Sequence, residues 1–166
     1  MEAARFEVGP SRRIAQQGDF AGKAEVALNV FFDSSALAKR YIAETGSDRV
    51  QAILSSASAL AVSVICIPEI VSALCRRRRE RKLSTEEYRN TKAALLADID
   101  DATAIGITEE VIAQAVALLE QFPLRSADAL HIACASEWST DLFVSADDRQ
   151  CQAAKARGLR VEAIRS

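Results

Sequence analysis

The stretch Asn29-Val30-Phe31-Phe32-Asp33 decides how the rest of the chain is interpreted. Its short apolar run predicts a buried strand that ends at the carboxylate of Asp33. The residues that follow, Ser34 to Tyr41, predict a short helix directly after this strand. The chain therefore opens its ordered part with a strand, an acid and a helix.

The same alternation continues to the end of the chain. The predicted strands cover residues 29–32, 59–65, 102–107, 141–145 and 159–164. The predicted helices cover residues 34–41, 47–54, 85–98, 109–121, 126–138 and 148–157, and one more has Pro68 in its first turn. Short apolar strands that alternate with amphipathic helices indicate a parallel sheet with helices on both faces. We therefore expect an α/β fold with three layers, α/β/α, around a five-stranded parallel sheet.

Several helix ends carry specific signals. Ser47 or Asp48 can cap the second helix, and Ser84 with Glu87 forms the pattern of a capping box. Thr108 is placed to cap the helix that follows it, and Gly158 is placed to end the helix before it.

Length and composition indicate one globular domain. The chain has 166 residues, of which 49% are hydrophobic and 27% charged. No apolar run reaches the ~18 residues of a membrane span, and no apolar segment follows Arg12 and Arg13 as a secretory signal requires. Residues 1–28 contain glycine and proline and lack periodicity, so we expect a poorly ordered N-terminal extension before a domain at residues 29–166.

Cysteine usage and charge narrow the class further. The four cysteines form no CxxC pair and the chain has one histidine, which argues against a zinc site. We expect free, mostly buried thiols and a cytoplasmic protein. The net charge of −2 does not by itself indicate a nucleic-acid binder, but basic residues are concentrated between Arg76 and Lys82.

Four carboxylates fall at junctions between predicted elements. Asp33 follows the first strand, Glu69 lies just past the second, Asp128 lies in the first turn of a helix, and Asp147 follows the fourth strand. One acid at a helix start is ordinary, since it complements the helix dipole. Three of the four are predicted at the carboxyl edge of a parallel sheet, where ligands bind, and four acids that point into one crevice favour a shared site.

Crowded carboxylates repel one another unless they protonate or bind a cation. Mg²⁺ or Mn²⁺ prefers oxygen ligands and can polarise a phosphodiester and lower the pKa of a bound water. This chemistry needs no histidine or cysteine. The sequence therefore predicts a divalent-metal site.

At these residues the chain resembles the PIN-domain family, and within it the VapC-type toxins of bacterial toxin–antitoxin pairs. The matching stretches are Phe31–Tyr41, Pro68–Leu74, Leu124–Ala133 and Phe143–Asp147. The resemblance implies a Mg²⁺- or Mn²⁺-dependent endoribonuclease that cleaves RNA phosphodiesters with a metal-activated water. It also implies a cognate antitoxin protein as partner and a homodimer.

The resemblance also implies roles for individual residues. Asp33, Glu69 and Asp128 match the three best-defined acids of the family, and Asp147 matches the fourth, with Asp148 as its competitor. Asp33 and Asp128 would be the main metal ligands, while Glu69 and Asp147 would hold the ion through water or hold a second ion. Ser145 matches the hydroxyl residue before the fourth acid.

Other residues allow two interpretations each. Ser35 could hydrogen-bond a metal ligand or cap a helix. His131 shares a helix face with Asp128 and could act as a base, although the family does not count it among its acids. Lys39, Arg40 and Arg76 are candidates for RNA phosphate contacts. The arginine run could equally be a solvated helix end or a surface for an acidic antitoxin segment.

The sequence also bears on two other functional classes. A receiver or phosphatase domain of similar shape is disfavoured, because no acid ends the third strand and position 35 is serine. A non-catalytic RNA- or protein-binding module remains the alternative to a nuclease, although none of the four acids is missing.

Overall fold

The computed structural model describes residues 28–165, and these form an α/β fold around one sheet. The five strands are β1 (Asn29–Phe32), β2 (Ala59–Ser63), β3 (Thr103–Ile105), β4 (Leu142–Ser145) and β5 (Val161–Ala163). They are all parallel, in the order β3-β2-β1-β4-β5. The predicted five-stranded parallel sheet is confirmed. The predicted N-terminal extension lies outside the described residues except for Leu28.

Seven α-helices within the described residues connect the strands. They are α1 (Ser34–Leu37), α2 (Ser47–Ser56), α3 (Cys66–Arg79), α4 (Thr85–Asp100), α5 (Glu109–Gln121), α6 (Ser126–Glu137) and α7 (Asp148–Ala156). A 3₁₀ turn, Ala38–Arg40, follows α1 and replaces the second half of the predicted helix at 34–41.

The central strand β1 explains the layered architecture. Val30 and Phe32 pack into one hydrophobic core with residues of α1 to α4. Phe31 points to the opposite face, where it stacks on Phe143 at 5.9 Å between ring centroids. All three side chains are fully buried. A strand buried on both faces needs a continuous apolar run rather than an alternating one, as this stretch has.

The helix ends confirm most of the predicted signals. Ser84 and Glu87 form the reciprocal bonds of a capping box, and Thr108 caps α5. Gly158 has a φ of 86° just beyond α7. The prediction for α2 was wrong: its N-cap is Gly46, with a φ of 94°, and a Cβ there would collide with Ile164. The Ser47 hydroxyl instead donates to the carbonyl of Lys39, so it is not free to cap.

Two other features bear on the protein's class. All four cysteines are free thiols, and only Cys75 is not fully buried, as predicted. Within residues 28–165, no helix is long and apolar enough to cross a membrane.

Candidate active site

The topology brings the four predicted acids to one edge of the sheet. Strand β1 lies between β2 and β4, so the carboxyl ends of these three strands are neighbours. Asp33 follows β1, Glu69 lies in the first turn of α3 after β2, and Asp147 precedes α7 after β4. Asp128 reaches the same region from the first turn of α6. The edge is the one at which parallel sheets bind ligands.

Asp33 is the most enclosed of the four acids. Its side chain caps α1 and accepts hydrogen bonds from the backbone N–H of Ala36 at 2.8 Å and from the Ser35 hydroxyl at 2.7 Å. Only 3% of its surface is exposed. Burial raises the pKa of Asp33, because these hydrogen bonds and nearby His131 do not fully compensate for the lost hydration. The carboxylate is therefore rigidly held and short of positive charge.

Ser35 connects Asp33 to the fourth strand. Its hydroxyl donates to Asp33 and accepts from the backbone N–H of Ala146 at 3.0 Å. Of the two interpretations for Ser35, the hydrogen bond to a candidate metal ligand is present, whereas the cap of α1 is Asp33 itself. Ser35 thus fixes the spacing between Asp33 and the loop that leads to Asp147.

Glu69 is held by two donors on a single oxygen. Its Oε2 accepts from the Ser34 hydroxyl at 2.7 Å and lies 2.7 Å from Nε2 of His131. Burial pushes the pKa of Glu69 upward, but the bonds from His131 and Ser34 together outweigh it and lower the pKa. Glu69 is therefore ionised at neutral pH. Sequence reasoning missed Ser34, although it directly follows Asp33.

Asp147 lies close enough to Asp128 for its charge to act on the Asp128 carboxyl group. Burial raises the pKa of Asp128, and the negative charge of Asp147 adds to this shift despite a bond from the backbone N–H of Arg125 at 3.2 Å. Asp147 Oδ1 caps α7, accepting from the backbone N–H of Arg149 at 2.9 Å and of Gln150 at 3.0 Å. Asp148 is exposed on the first turn of α7. Asp147 as the fourth acid, with Asp148 as its competitor, stays a prediction.

Gln150 is a second residue that the sequence reasoning missed. It is fully buried, and its amide accepts from the Ser145 hydroxyl at 2.6 Å and donates to the backbone carbonyl of Asp128 at 3.1 Å. Ser145 in turn accepts from the backbone N–H of Asp147 at 3.0 Å. The predicted hydroxyl residue thus connects β4 to both Asp128 and Asp147. The available signal was a glutamine three residues after Asp147, in the first turn of the helix that Asp147 caps.

The four acids share an edge without closing on a single point. Within residues 28–165, no three Asp, Glu, His or Cys side chains converge as a ready-made set of metal ligands. Two of the acids also use one carboxylate oxygen for hydrogen bonds within the fold. One oxygen of Glu69 is taken by Ser34 and His131, and one oxygen of Asp147 is taken by the amides of α7.

The three basic candidates for RNA contact differ in exposure. Lys39 is buried, with Nζ 3.0 Å from both a carboxylate oxygen of Glu44 and the carbonyl of Thr45. The guanidinium group of Arg40 donates two hydrogen bonds to the carboxylate of Asp98, at 2.7 and 3.2 Å. This burial and pairing argue against phosphate contacts for both residues, because their charges are already neutralised in place. Arg76 is exposed on α3.

Comparisons with known proteins agree on one family. A family model described as PIN domain matches residues 30–156. Ribonuclease VapC45 of Mycobacterium tuberculosis (strain CDC 1551 / Oshkosh) is 32% identical over 138 residues, covering 80% of this chain and 93% of that protein.

Two solved structures share the fold. VapBC-5 from Mycobacterium tuberculosis, a member of the VapBC family of toxin-antitoxin systems, has a TM-score of 0.55 at 17% identity, over 83% of this chain and 98% of that chain. Mycobacterium tuberculosis VapC20, described as a sarcin-ricin loop cleaving toxin, has a TM-score of 0.57 at 16% identity, over 78% of this chain and 95% of that chain. At these identities, the two structures bear on the fold alone.

Proposed function

The chain belongs to the PIN-domain family, alongside ribonucleases of the VapC type, and from this membership we propose that it is a Mg²⁺- or Mn²⁺-dependent endoribonuclease, the toxin of a toxin–antitoxin pair. The observation that carries the proposal is the placement of Asp33, Glu69, Asp128 and Asp147 around the carboxyl ends of three adjacent strands. Relatives named ribonucleases share about a third of the sequence over most of both chains.

The acids fit a divalent cation in their chemistry. The donors are all carboxylate oxygens, which Mg²⁺ and Mn²⁺ prefer. Burial raises the pKa of both Asp33 and Asp128, because their hydrogen bonds do not fully replace the hydration that the charged carboxylates lose. Within residues 28–165, no lysine or arginine forms a salt bridge with either one. A bound cation would supply the missing positive charge.

In this proposal, Asp33 and Asp128 would hold the ion directly, and Glu69 and Asp147 would hold it through water or hold a second ion. When bound, the ion would supply polarisation of a phosphodiester and a lowered pKa for a bound water. The hydrogen bonds of Ser35 and Ala36 keep the Asp33 carboxylate in one orientation. Preorganised ligands of this kind cost little rearrangement when the ion and substrate bind.

The arginines after Glu69 divide into two groups. Arg76 and Arg79 are exposed and follow Glu69 at helical spacings that keep all three on one face of α3. Arg77 has a buried Nε, and the guanidinium of Arg78 lies 4.7 Å from the ring centroid of Tyr88. We therefore assign phosphate contacts to Arg76 and Arg79, two to three turns along α3 from Glu69, rather than to the whole run.

An antitoxin is the proposed protein partner, and it is supported by solved toxin–antitoxin assemblies of the same fold. A homodimer is expected from the family resemblance. Light scattering of the purified chain, alone and with the product of any adjacent gene that encodes a small DNA-binding protein, tests both. A single copy in solution would contradict the homodimer.

The test of the activity is cleavage of RNA by the purified chain with and without Mg²⁺. The Asp33→Asn variant should lose the Mg²⁺-dependent cleavage, and Asp48→Asn, at an exposed position on α2, should keep it. Cleavage by Asp33→Asn at the wild-type rate would overturn the assignment. If the wild type cleaves RNA and Asp33→Asn does not, sequencing of RNA ends after induced expression of the wild type would identify the target RNA.

A further inference from the structure

The only histidine of the chain lies against one of the four acids. His131 on α6 is 1% exposed, and its Nε2 lies 2.7 Å from Oε2 of Glu69 on α3. The hydroxyl of Ser34 on α1 donates to the same oxygen at 2.7 Å, and its distance to the His131 Nε2 is 3.4 Å. Three helices therefore meet at one carboxylate oxygen.

The direction of the histidine contact follows from the partner. An ionised carboxylate only accepts hydrogen bonds, so Nε2 of His131 must be the donor. Nδ1 of the same ring is buried and has no hydrogen-bond partner within residues 28–165. A proton on Nδ1 would be left without an acceptor, at a cost, so the ring supplies one N–H and gives it to Glu69. This arrangement leaves no free imidazole nitrogen at the acidic edge for a general base.

The two donors restrain one carboxylate oxygen of Glu69, and the other oxygen receives no hydrogen bond from them. Within the described part of the chain, Oε1 of Glu69 accepts no hydrogen bond, whereas Oε2 accepts two. A carboxylate held in this way keeps one orientation of its second oxygen. We propose that His131, together with Ser34, is a positioning residue that fixes the Glu69 carboxylate so that Oε1 stays available to a divalent cation. This inference rests on the proposed metal-dependent function.

A buried histidine could instead serve only to fill space beneath the sheet, where its ring lies 6.4 Å from that of Phe31 in an edge-on arrangement. The space-filling role and the positioning role can be distinguished by whether the replacement side chain carries a hydrogen-bond donor. A space-filling ring can be replaced by any side chain of similar size, whereas a positioning ring needs an N–H at the place of Nε2. Glutamine can supply such an N–H, and leucine cannot.

The binding experiment uses the full chain and Mn²⁺ alone, measured by calorimetry. His131→Leu should weaken Mn²⁺ binding about tenfold or more, the loss typical of removing an outer-shell partner. His131→Gln should retain most of the affinity, and Ser34→Ala should reproduce part of the loss at a less buried position. Ile132→Val, at a fully buried neighbour on α6, is the control for packing and should bind Mn²⁺ as the wild type does.

Nuclear magnetic resonance gives a readout that does not depend on activity. With histidine labelled by nitrogen-15, both ring nitrogens come from a single residue. We expect a protonated Nε2 and an unprotonated Nδ1, with the Nε2 signal moving when Glu69 is changed to Ala. A proton found on Nδ1 with Nε2 bare would overturn the inference.

The outcomes also separate this inference from the proposed function. If the wild type cleaves RNA and His131→Leu binds Mn²⁺ and cleaves as well as Ile132→Val does, the positioning role is wrong. If the wild type cleaves no RNA but Mn²⁺ binding falls in His131→Leu and recovers in His131→Gln, the nuclease function is wrong and the positioning role stands.

Discussion

Gln150 donates a hydrogen bond from Nε2 to the backbone carbonyl of Asp128 at 3.1 Å, and so fastens α7 to the first turn of α6. The same amide accepts from Ser145, and the backbone N–H of Gln150 donates to the Asp147 carboxylate. One buried residue, through its side chain and its backbone N–H, therefore sets where Asp128 and Asp147 lie relative to each other.

Replacing Gln150 with Leu should reduce both stability and activity. Leucine has a similar size, but it removes the acceptor of the Ser145 O–H and one donor to the Asp128 carbonyl. A buried O–H without an acceptor costs about 1–3 kcal/mol, so the free energy of unfolding should fall by that order. Urea denaturation measures it, and the rate of RNA cleavage should fall in parallel.

The control for this change is Gln152→Leu, because Gln152 is exposed on the same helix. It should leave stability and cleavage close to wild type. Equal effects of Gln150→Leu and Gln152→Leu on both measurements would show that the buried bonds of Gln150 do not hold the site.

The sequence predicted the parts of the molecule that local pattern determines. The apolar run before Asp33, the capping box at Ser84 and the stop at Gly158 each depend on residues close together in the chain. The placement of the acids at strand ends could be predicted for the same reason, since each acid adjoins its own strand or helix. Strand lengths were overestimated, because apolar residues continue past the last ladder bond in β2 and β3.

Contacts between side chains that are far apart along the chain could not be predicted from the sequence. His131 and Glu69 are 62 positions apart, and Arg40 and Asp98 are 58 apart. A single sequence shows the charges of these residues but not the packing that pairs them. This is why Arg40 could be expected to contact RNA, although its charge is used within the fold, and why the role of His131 stayed open.

Asp33→Asn should remove the stabilisation that the divalent cation gives to the wild type. An ion that binds only the folded chain adds about 2.7 kcal/mol to the free energy of unfolding at a hundred times its Kd. Asparagine carries no charge, so the variant should show no rise in unfolding temperature when Mn²⁺ is added. Without Mn²⁺, it should be at least as stable as the wild type, since burial already disfavours the Asp33 charge.

Thermal denaturation with and without Mn²⁺ measures both effects. Asp48→Asn serves as the matched change at an exposed position and should keep the full Mn²⁺-dependent rise. A rise in Asp33→Asn equal to that of the wild type would mean that Asp33 does not hold the ion.

Arg76→Ala and Arg79→Ala should each raise the KM for RNA and leave kcat nearly unchanged, because a phosphate contact remote from the acids binds substrate and transition state alike. Each change should also reduce the dependence of log affinity on log salt by about 0.7, the contribution of one single-strand phosphate contact. Steady-state kinetics and filter binding over a range of salt concentrations measure these effects.

Arg78→Ala is the control from the same run of arginines, since Arg78 packs over Tyr88 on the other side of α3. It should leave the salt dependence as in the wild type. If Arg78→Ala changes RNA binding as much as Arg76→Ala does, RNA binding depends on the total charge at the end of α3. The assignment of phosphate contacts to the face with Arg76 and Arg79 is then wrong.

Asp98→Ala should destabilise the fold without a direct effect on RNA binding. Asp98 is buried and accepts from the Arg40 guanidinium at 2.7 Å and the Tyr41 hydroxyl at 2.9 Å, which anchors α4 to the turn after α1. Removing one partner of a buried ion pair costs about 3–5 kcal/mol, because the other charge is left unpaired. Urea denaturation should show a loss of this size, whereas Asp100→Ala, exposed on the same helix, should show almost none. RNA affinity of the folded Asp98→Ala chain should stay at the wild-type value, and a change in its salt dependence would restore Arg40 as a phosphate contact.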